Sequence, residues 1–102
     1  MTESTLSCDM VRVADRQAVH DGPPGAFCFE QRGMPGARYR VLWHKLPEGT
    51  AGFLRLRPLP ASEEAHPSWT FNGDEDRPTL HPSVHYVGHW HGYFTAGRMV
   101  SG

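Results

Sequence analysis

The sequence predicts a mainly β protein: a small single-domain antiparallel sheet, or a compact β-sandwich or roll, with short hairpins and at most one short helix. Eleven glycines and nine prolines divide the 102 residues into short segments, which favours strands joined by tight turns. Apolar and polar residues alternate in two of these segments, 38–45 and 53–57, and a period of two is typical of strands. A chain of this length fits one hydrophobic core, so we expect a single domain over residues 1–102.

The N-terminal third contains short predicted elements separated by turn-forming residues. Residues 1–7 are polar, and we expect them to be loose. A short strand is predicted over 9–14, followed by one helical turn over 15–19. The Asp-Gly-Pro-Pro-Gly sequence at 21–25 ends that turn. Consecutive apolar residues then predict a buried strand over 26–30.

The two alternating segments are predicted to pair as a hairpin about the loop 47–52. That pairing would set Trp43 opposite Leu56 and His44 opposite Arg55. Apolar side chains then match across the two strands on one face, which is what a half-buried hairpin requires.

The opposite face of this hairpin is predicted to be basic, and it would carry Arg38, Arg40, Arg55, Arg57 and His44. One interpretation is a solvated face whose arginines pair with the acidic residues 74–76. The other is an anion-binding face for an acidic partner or a nucleic acid. The net charge of −1 provides no global field that would favour nucleic acid.

The remaining chain begins with a connector rich in Pro, Ala, Ser and Glu over 58–67, which we predict to be a mobile loop. A short strand over 69–71 leads into Asn-Gly at 72–73, the dipeptide that best fits a type I′ hairpin turn. Another strand is predicted over 84–87, and a final hairpin over 93–100.

Four histidines lie close together in this part of the chain, at positions 81, 85, 89 and 91. Positions two apart on a strand share a face, so His85, His89 and His91 are candidate ligands of one metal ion, and zinc suits imidazole ligands. The alternative is that these histidines are half-buried strand residues that pack beside their aromatic neighbours.

Several functional classes lack support in the sequence. No apolar run reaches the roughly 20 residues that span a bilayer, and no secretory signal is predicted at the N-terminus. Cys8 and Cys28 are therefore expected to be reduced thiols. Gly-x-Ser-x-Gly is absent, and Cys28 lies in an apolar run where a thiol is usually inert. We therefore assign no catalytic residues from the sequence, and whether the protein is an enzyme stays open, with a non-enzyme favoured.

The last third contains three elements in order: Trp69-Thr-Phe-Asn-Gly-Asp, Arg77-Pro-Thr-Leu-His-Pro-Ser-Val84, and His91-Gly-Tyr-Phe with Gly97-Arg-Met. They resemble an uncharacterised family of small phage and prophage proteins, sometimes labelled ammonia monooxygenase, with Trp-x-x-Asn-Gly and Pro-Thr-x-x-Pro-Ser elements. The resemblance implies a phage or prophage origin, a mostly β fold and zinc. The family's early cysteine pair is represented only by Cys28, so a zinc site of that type would have to be rebuilt around His89.

These observations predict a phage-encoded or mobile-element-encoded binding or accessory protein that contacts a host target through protein–protein interaction. A virion accessory protein of the capsid or tail is the first alternative. The second is a small metal-binding protein or metallohydrolase with Asp74 or Asp76 as the base. The expected partner is a host or phage protein, with nucleic acid less supported, no membrane, and a homo-oligomer as an open option. The expected location is the host cytoplasm or the virion.

Overall fold

The computed structural model describes residues 2–102 and confirms the predicted fold class. Its strands are β1 (Cys8–Asp9), β2 (Val11–Arg12), β3 (Ala26–Arg32), β4 (Tyr39–Lys45), β5 (Ala51–Leu56), β6 (Thr70–Phe71), β7 (Leu80–His81), β8 (Val84–Tyr86), β9 (Trp90–Thr95) and β10 (Arg98–Ser101). The helix α1 spans Arg16–Asp21, and a single 3₁₀ turn spans Ala61–Glu63. Met1, in the segment predicted to be loose, lies outside the described residues. The described chain contains no helix long and apolar enough to cross a membrane.

Two four-stranded sheets form the body of the protein. The central sheet has the order β2-β3-β4-β5, and the C-terminal sheet has the order β1-β10-β9-β8. Strands β6 and β7 form a separate pair. All pairings between strands are antiparallel except that of β2 with β3.

The core lies between the two sheets because alternate residues of each sheet are apolar and point to the same side. Phe27 and Leu42 of the central sheet and Trp90, Phe94 and Met99 of the C-terminal sheet belong to one buried cluster. Each is fully buried, which contributes about 1.5–3 kcal/mol per large apolar side chain. The two sheets are therefore the layers of a small β-sandwich.

The N-terminal strands connect the two layers. The single strand predicted over 9–14 is divided: β1 pairs with β10 in the C-terminal sheet, whereas β2 pairs with β3 in the central sheet. Helix α1 follows, with the Asp15 side chain accepting a hydrogen bond from the Ala18 amide at its N-terminus. Val19 is buried where α1 packs against β3 and β4.

The β4–β5 hairpin has a different register from the predicted one. Trp43 lies opposite Phe53, and His44 lies opposite Gly52. The turn is tighter than expected, since the Leu46 amide donates to the Thr50 carbonyl at 2.8 Å and β5 already begins at Ala51. The shift is by an odd number of residues, so it reverses the face on which every β5 side chain lies relative to β4.

The predicted type I′ turn at Asn72-Gly73 is also wrong. Phe71 pairs with Leu80, so the connection between β6 and β7 is the longer segment 72–79. The Asn72 side chain accepts hydrogen bonds from the Asp74 and Thr79 amides and so organises this loop.

Candidate functional site

Two of the predicted metal ligands lie side by side on the outer face of the C-terminal sheet. His85 in β8 is paired directly with His91 in β9. Their ring centroids are 4.8 Å apart, with the rings tilted by 54°. Their strand neighbours Val84 and Trp90 point into the core, so alternation leaves both imidazoles on the outside.

The third predicted ligand, His89, does not join them. It lies in the turn between β8 and β9, where its amide donates to the Tyr86 carbonyl at 2.8 Å and Gly88 has φ +79°. The His89 Nδ1 lies 3.4 Å from the Thr50 hydroxyl and 3.7 Å from the Glu48 carboxylate.

The predicted zinc site formed by His85, His89 and His91 is therefore wrong. Over residues 2–102, no group of three or more His, Cys, Asp or Glu side chains is arranged to hold a metal ion. The prediction rested on shared parity across the break at Gly88, but the turn there reverses the chain before His89, so parity does not bring His89 to the other two histidines.

A carboxylate lies beside the histidine pair instead. Glu3 Oε2 is 2.7 Å from His85 Nε2 and accepts a hydrogen bond from the Gly88 amide at 3.0 Å. The hydrogen bond with His85, then that with Gly88, lowers the pKa of Glu3, and the charge of His91 acts in the same direction. Glu3 is therefore ionised near neutral pH and close to both imidazoles.

Ser83 directly precedes β8, the strand that contains His85. If the alternation of Val84 and His85 continued backwards by one residue, the Ser83 side chain would lie on the same outer face. If the β8–β9 register continued one residue beyond the Val84–Gly92 pair, Ser83 would lie opposite Tyr93. His91 would then be its diagonal neighbour on the same face. Side chains on such diagonals are within reach of one another.

The Trp69 indole donates a hydrogen bond to the Ser83 carbonyl at 3.2 Å, which fixes the backbone of Ser83. Within the described chain, the Ser83 hydroxyl makes no hydrogen bond to either imidazole. Catalytic hydrogen bonds are often long without substrate and tighten when it binds.

A cleft of about 280 Å³ opens next to this cluster, between the central sheet and β8. The residues that line it are Phe53, Leu54, Arg55, Pro67, Trp69, His85 and Tyr86. Its wall is mostly apolar and aromatic, and His85 is one of its polar residues. A cleft with a few polar groups beside reactive side chains is typical of a binding site.

His44, predicted to belong to the basic face, lies in the core. It is completely buried, and its ring packs edge-on against Phe94 and Tyr86. Its Nδ1 is 3.2 Å from the Leu42 carbonyl, and its Nε2 is 2.8 Å from the Tyr86 hydroxyl. Burial lowers the pKa of His44 to about 4, so it is neutral and cannot bind an anion. Burial also raises the pKa of Tyr86 to about 12.

The predicted basic face is not formed as one surface. Arg40 lies opposite Leu56, whereas Arg55 lies opposite Val41, so the two arginines are on different faces of the hairpin. Arg40 pairs with Glu75 at 3.4 Å, which agrees with the interpretation that acidic residues of 74–76 neutralise arginines.

Three of the arginines nevertheless line one cleft at the far end of the hairpin. Arg38, Arg40 and Arg57 surround a space of about 320 Å³ that also includes Phe71. Arg57 Nε is held by the Ser68 hydroxyl at 2.8 Å. Anion or nucleic-acid binding by these residues stays a prediction.

The structure is a small β-sandwich with two histidines and a carboxylate on one sheet face and a serine directly before the strand that carries His85. These are the residue types that nucleophilic hydrolases combine. A family model described as "Bacterial ubiquitination-like system serine protease (BubE)" matches residues 15–101, and the chain belongs to this family. No curated protein and no solved structure matches the chain.

This membership corrects the sequence-based assignment. The predicted phage or prophage family is wrong, and the family match covers nearly the whole chain rather than its last third. The predicted role as a phage or virion binding and accessory protein is wrong for the same reason.

The sequence reasoning missed Ser83 and Glu3. Ser83 belongs to the Pro-Thr-x-x-Pro-Ser element, which served only to carry the family resemblance, and the Gly-x-Ser-x-Gly motif is the signature of a different fold. The sequence did contain one signal for Ser83. Ser83, His85 and His91 all have odd residue numbers, as residues on one face of a strand do. Glu3 is 82 residues from His85, and no local pattern reports such a contact.

Proposed function

We propose that this protein is a serine-type peptidase of a bacterial ubiquitination-like system, with Ser83 as the nucleophile and His91 as the general base. The description of the family supports the activity. The observation that supports the residue assignment is the β8–β9 register, which pairs His85 with His91 and would put Ser83 on the same outer face if it continued one residue beyond Val84.

Ser83 is the serine best placed for this role. The hydroxyls of Ser4, Ser7 and Ser68 already accept hydrogen bonds that support the fold. Ser83 instead directly precedes the strand of His85, and its carbonyl accepts a hydrogen bond from Trp69, which lines the cleft.

His91 is better suited than His85 to act as the general base. It lies on β9, which has strand neighbours on both sides, whereas β8 is at the edge of the sheet. Its ring lies between those of His85 and Tyr93, at 4.8 and 6.3 Å between centroids. His85 has one nitrogen occupied by Glu3.

The reaction follows from these positions. The Ser83 Oγ attacks the carbonyl carbon of an amide bond in a polypeptide substrate while its proton passes to His91. The C–N bond then breaks, and the imidazolium of His91 gives that proton to the departing amine. A water molecule, deprotonated by His91, attacks the resulting ester and releases a carboxylic acid, which restores the Ser83 hydroxyl.

The cleft beside Trp69 would hold the substrate next to the bond that is cleaved. Its apolar and aromatic wall suits the side chain of an extended polypeptide, and Arg55 could donate to a carbonyl oxygen of that chain. We expect β8, an edge strand, to pair with the substrate backbone.

A fluorophosphonate probe tests the assignment without knowledge of the natural substrate. The unmodified protein is expected to gain one probe adduct, located at Ser83 by peptide mass spectrometry, and Ser83→Ala is expected to gain none. Ser68→Ala is the matched control, because Ser68 directly precedes Trp69 but lines a different cleft and binds Arg57, and it should be labelled normally. Labelling of another serine, or of none, would overturn the proposal.

A further inference from the structure

The segment 2–7 is attached to the C-terminal sheet near the candidate site. Ser4 forms a parallel bridge with Trp90, and its amide donates to the His89 carbonyl at 2.9 Å. The Trp90 indole donates to the Leu6 carbonyl at 2.8 Å. These contacts do not involve the Glu3 side chain, so the segment is held in place independently of that carboxylate.

The position of Glu3 determines which nitrogen of His85 carries a proton. An ionised carboxylate can only accept hydrogen bonds, and Glu3 Oε2 lies 2.7 Å from His85 Nε2. The Nε2 atom must therefore be the protonated one, and in the neutral ring Nδ1 becomes the acceptor. The Gly88 amide, in the turn that follows β8, donates a hydrogen bond to the same carboxylate oxygen at 3.0 Å.

We propose that Glu3 is a positioning residue for the catalytic pair, fixing the tautomer and orientation of His85 and stabilising the positive charge that forms on His91. This inference rests on the proposed function, because it assigns a role within the same reaction. Glu3 lies outside the residues 15–101 that match the family. The carboxylate would thus come from a part of this chain that the family match does not cover.

The negative charge of Glu3 lies close to the positive charge that forms during the reaction. When His91 takes the proton of Ser83, a positive charge appears beside His85, whose ring centroid is 4.8 Å from that of His91. Glu3 contacts His85 of this pair, whereas Glu48, in the β4–β5 turn, is directed at His89. A fixed negative charge lowers the energy of the imidazolium without any rearrangement at the moment of reaction.

The test compares Glu3→Gln with the unmodified protein by the kinetics of fluorophosphonate inactivation. Glu3→Gln keeps an oxygen that can accept from His85 but removes the charge. We expect the maximal inactivation rate to fall by about ten-fold or more, with the half-saturating probe concentration unchanged. Glu64→Gln is the matched control, since Glu64 is exposed in the 58–67 connector, and it should leave both parameters unchanged.

A second measurement separates positioning from simple loss of structure. Long-range ¹H–¹⁵N spectra of the His85 ring should show protonated Nε2 in the unmodified protein, and a mixed tautomer in Glu3→Ala with the backbone spectrum otherwise preserved. An unchanged inactivation rate in Glu3→Gln, or the same His85 tautomer in Glu3→Ala, would overturn the inference. If the unmodified protein is not labelled at Ser83 at all, the proposed function itself fails.

Discussion

The protein contains two histidine environments that differ in almost every physical respect. His44 is completely buried between the sheets and is bound by the Leu42 carbonyl and the Tyr86 hydroxyl. His85 and His91 lie on the outer face of the C-terminal sheet, where Glu3 supplies a negative charge. Both environments are well hydrogen-bonded, but only the outer one can exchange protons with a substrate.

The comparison shows that residue type alone does not define chemistry. Burial lowers the pKa of His44 to about 4 and removes it from contact with water, so it acts as a neutral core residue. The outer pair retains access to solvent and to the cleft beside Trp69. Substitutions in each environment should therefore affect different properties, stability for the inner one and reaction rate for the outer one.

The largest expected effect is that of His91→Ala on reaction rate. Loss of a general base typically costs about 10²–10⁴-fold, and we expect fluorophosphonate labelling of Ser83 to slow by that factor while the thermal midpoint of unfolding changes little. His85→Ala should slow labelling less. If His85→Ala has the larger effect, the two histidines exchange roles and His85 is the base.

The next effect concerns stability and pH. The folded-state pKa of His44, about 4, lies below the value of 6.5 expected when unfolded, so the unfolded chain binds more protons between these values. The contribution of neutral His44 to the free energy of unfolding is fully present above pH 6.5. It is lost as the pH falls towards 4, and the loss amounts to about 3 kcal/mol.

Urea unfolding at pH 7.5 and pH 4.5 measures this loss, with His44→Gln as the comparison. Glutamine can accept from the Tyr86 hydroxyl but does not titrate, so its loss of stability between the two pH values should be smaller. Equal losses in both proteins would show that His44 does not control acid stability.

A smaller effect is expected for Trp69→Phe. Phenylalanine keeps the aromatic wall of the cleft but loses the indole hydrogen bond to the Ser83 carbonyl, which is worth about 0.5–1.5 kcal/mol. We expect labelling of Ser83 to slow several-fold. The rate would remain unchanged if this hydrogen bond does not position the serine.

The smallest effect is expected for His89→Ala. His89 contacts the Thr50 and Glu48 side chains rather than the outer pair, so labelling should stay within about two-fold of the unmodified protein. A loss as large as that of His91→Ala would return His89 to the candidate site. Measuring all three histidine variants under one protocol makes this comparison direct.

The sequence predicted the fold class because glycine, proline and alternation are local signals, and they were sufficient to give short strands and one short helix. It did not predict the β4–β5 register, because both faces of this hairpin are covered. Leu42 and Leu54 lie in the sandwich core, while Val41 is buried on the opposite face under α1. Alternation cannot choose between two faces that both contain apolar residues.

The candidate site was only partly predictable. The two-residue spacing rule grouped His85, His89 and His91 on one strand face, but His85 and His91 meet across two paired strands, which the rule does not describe. It failed at His89 because a single glycine redirects the chain. The contribution of Glu3 depends on a contact across 82 residues, which only the complete fold brings about.

The distance along the chain between Glu3 and His85 also has a consequence for biosynthesis. A ribosome releases the N-terminal residues long before it synthesises β8, β9 and β10, so Glu3 must wait, unpaired, for its partners. The edge strand β1 can join the C-terminal sheet only after β10 has been synthesised, since Cys8 pairs with Met99. We therefore expect the contact between Glu3 and His85 to form late, after the strands that connect them along the chain have been made.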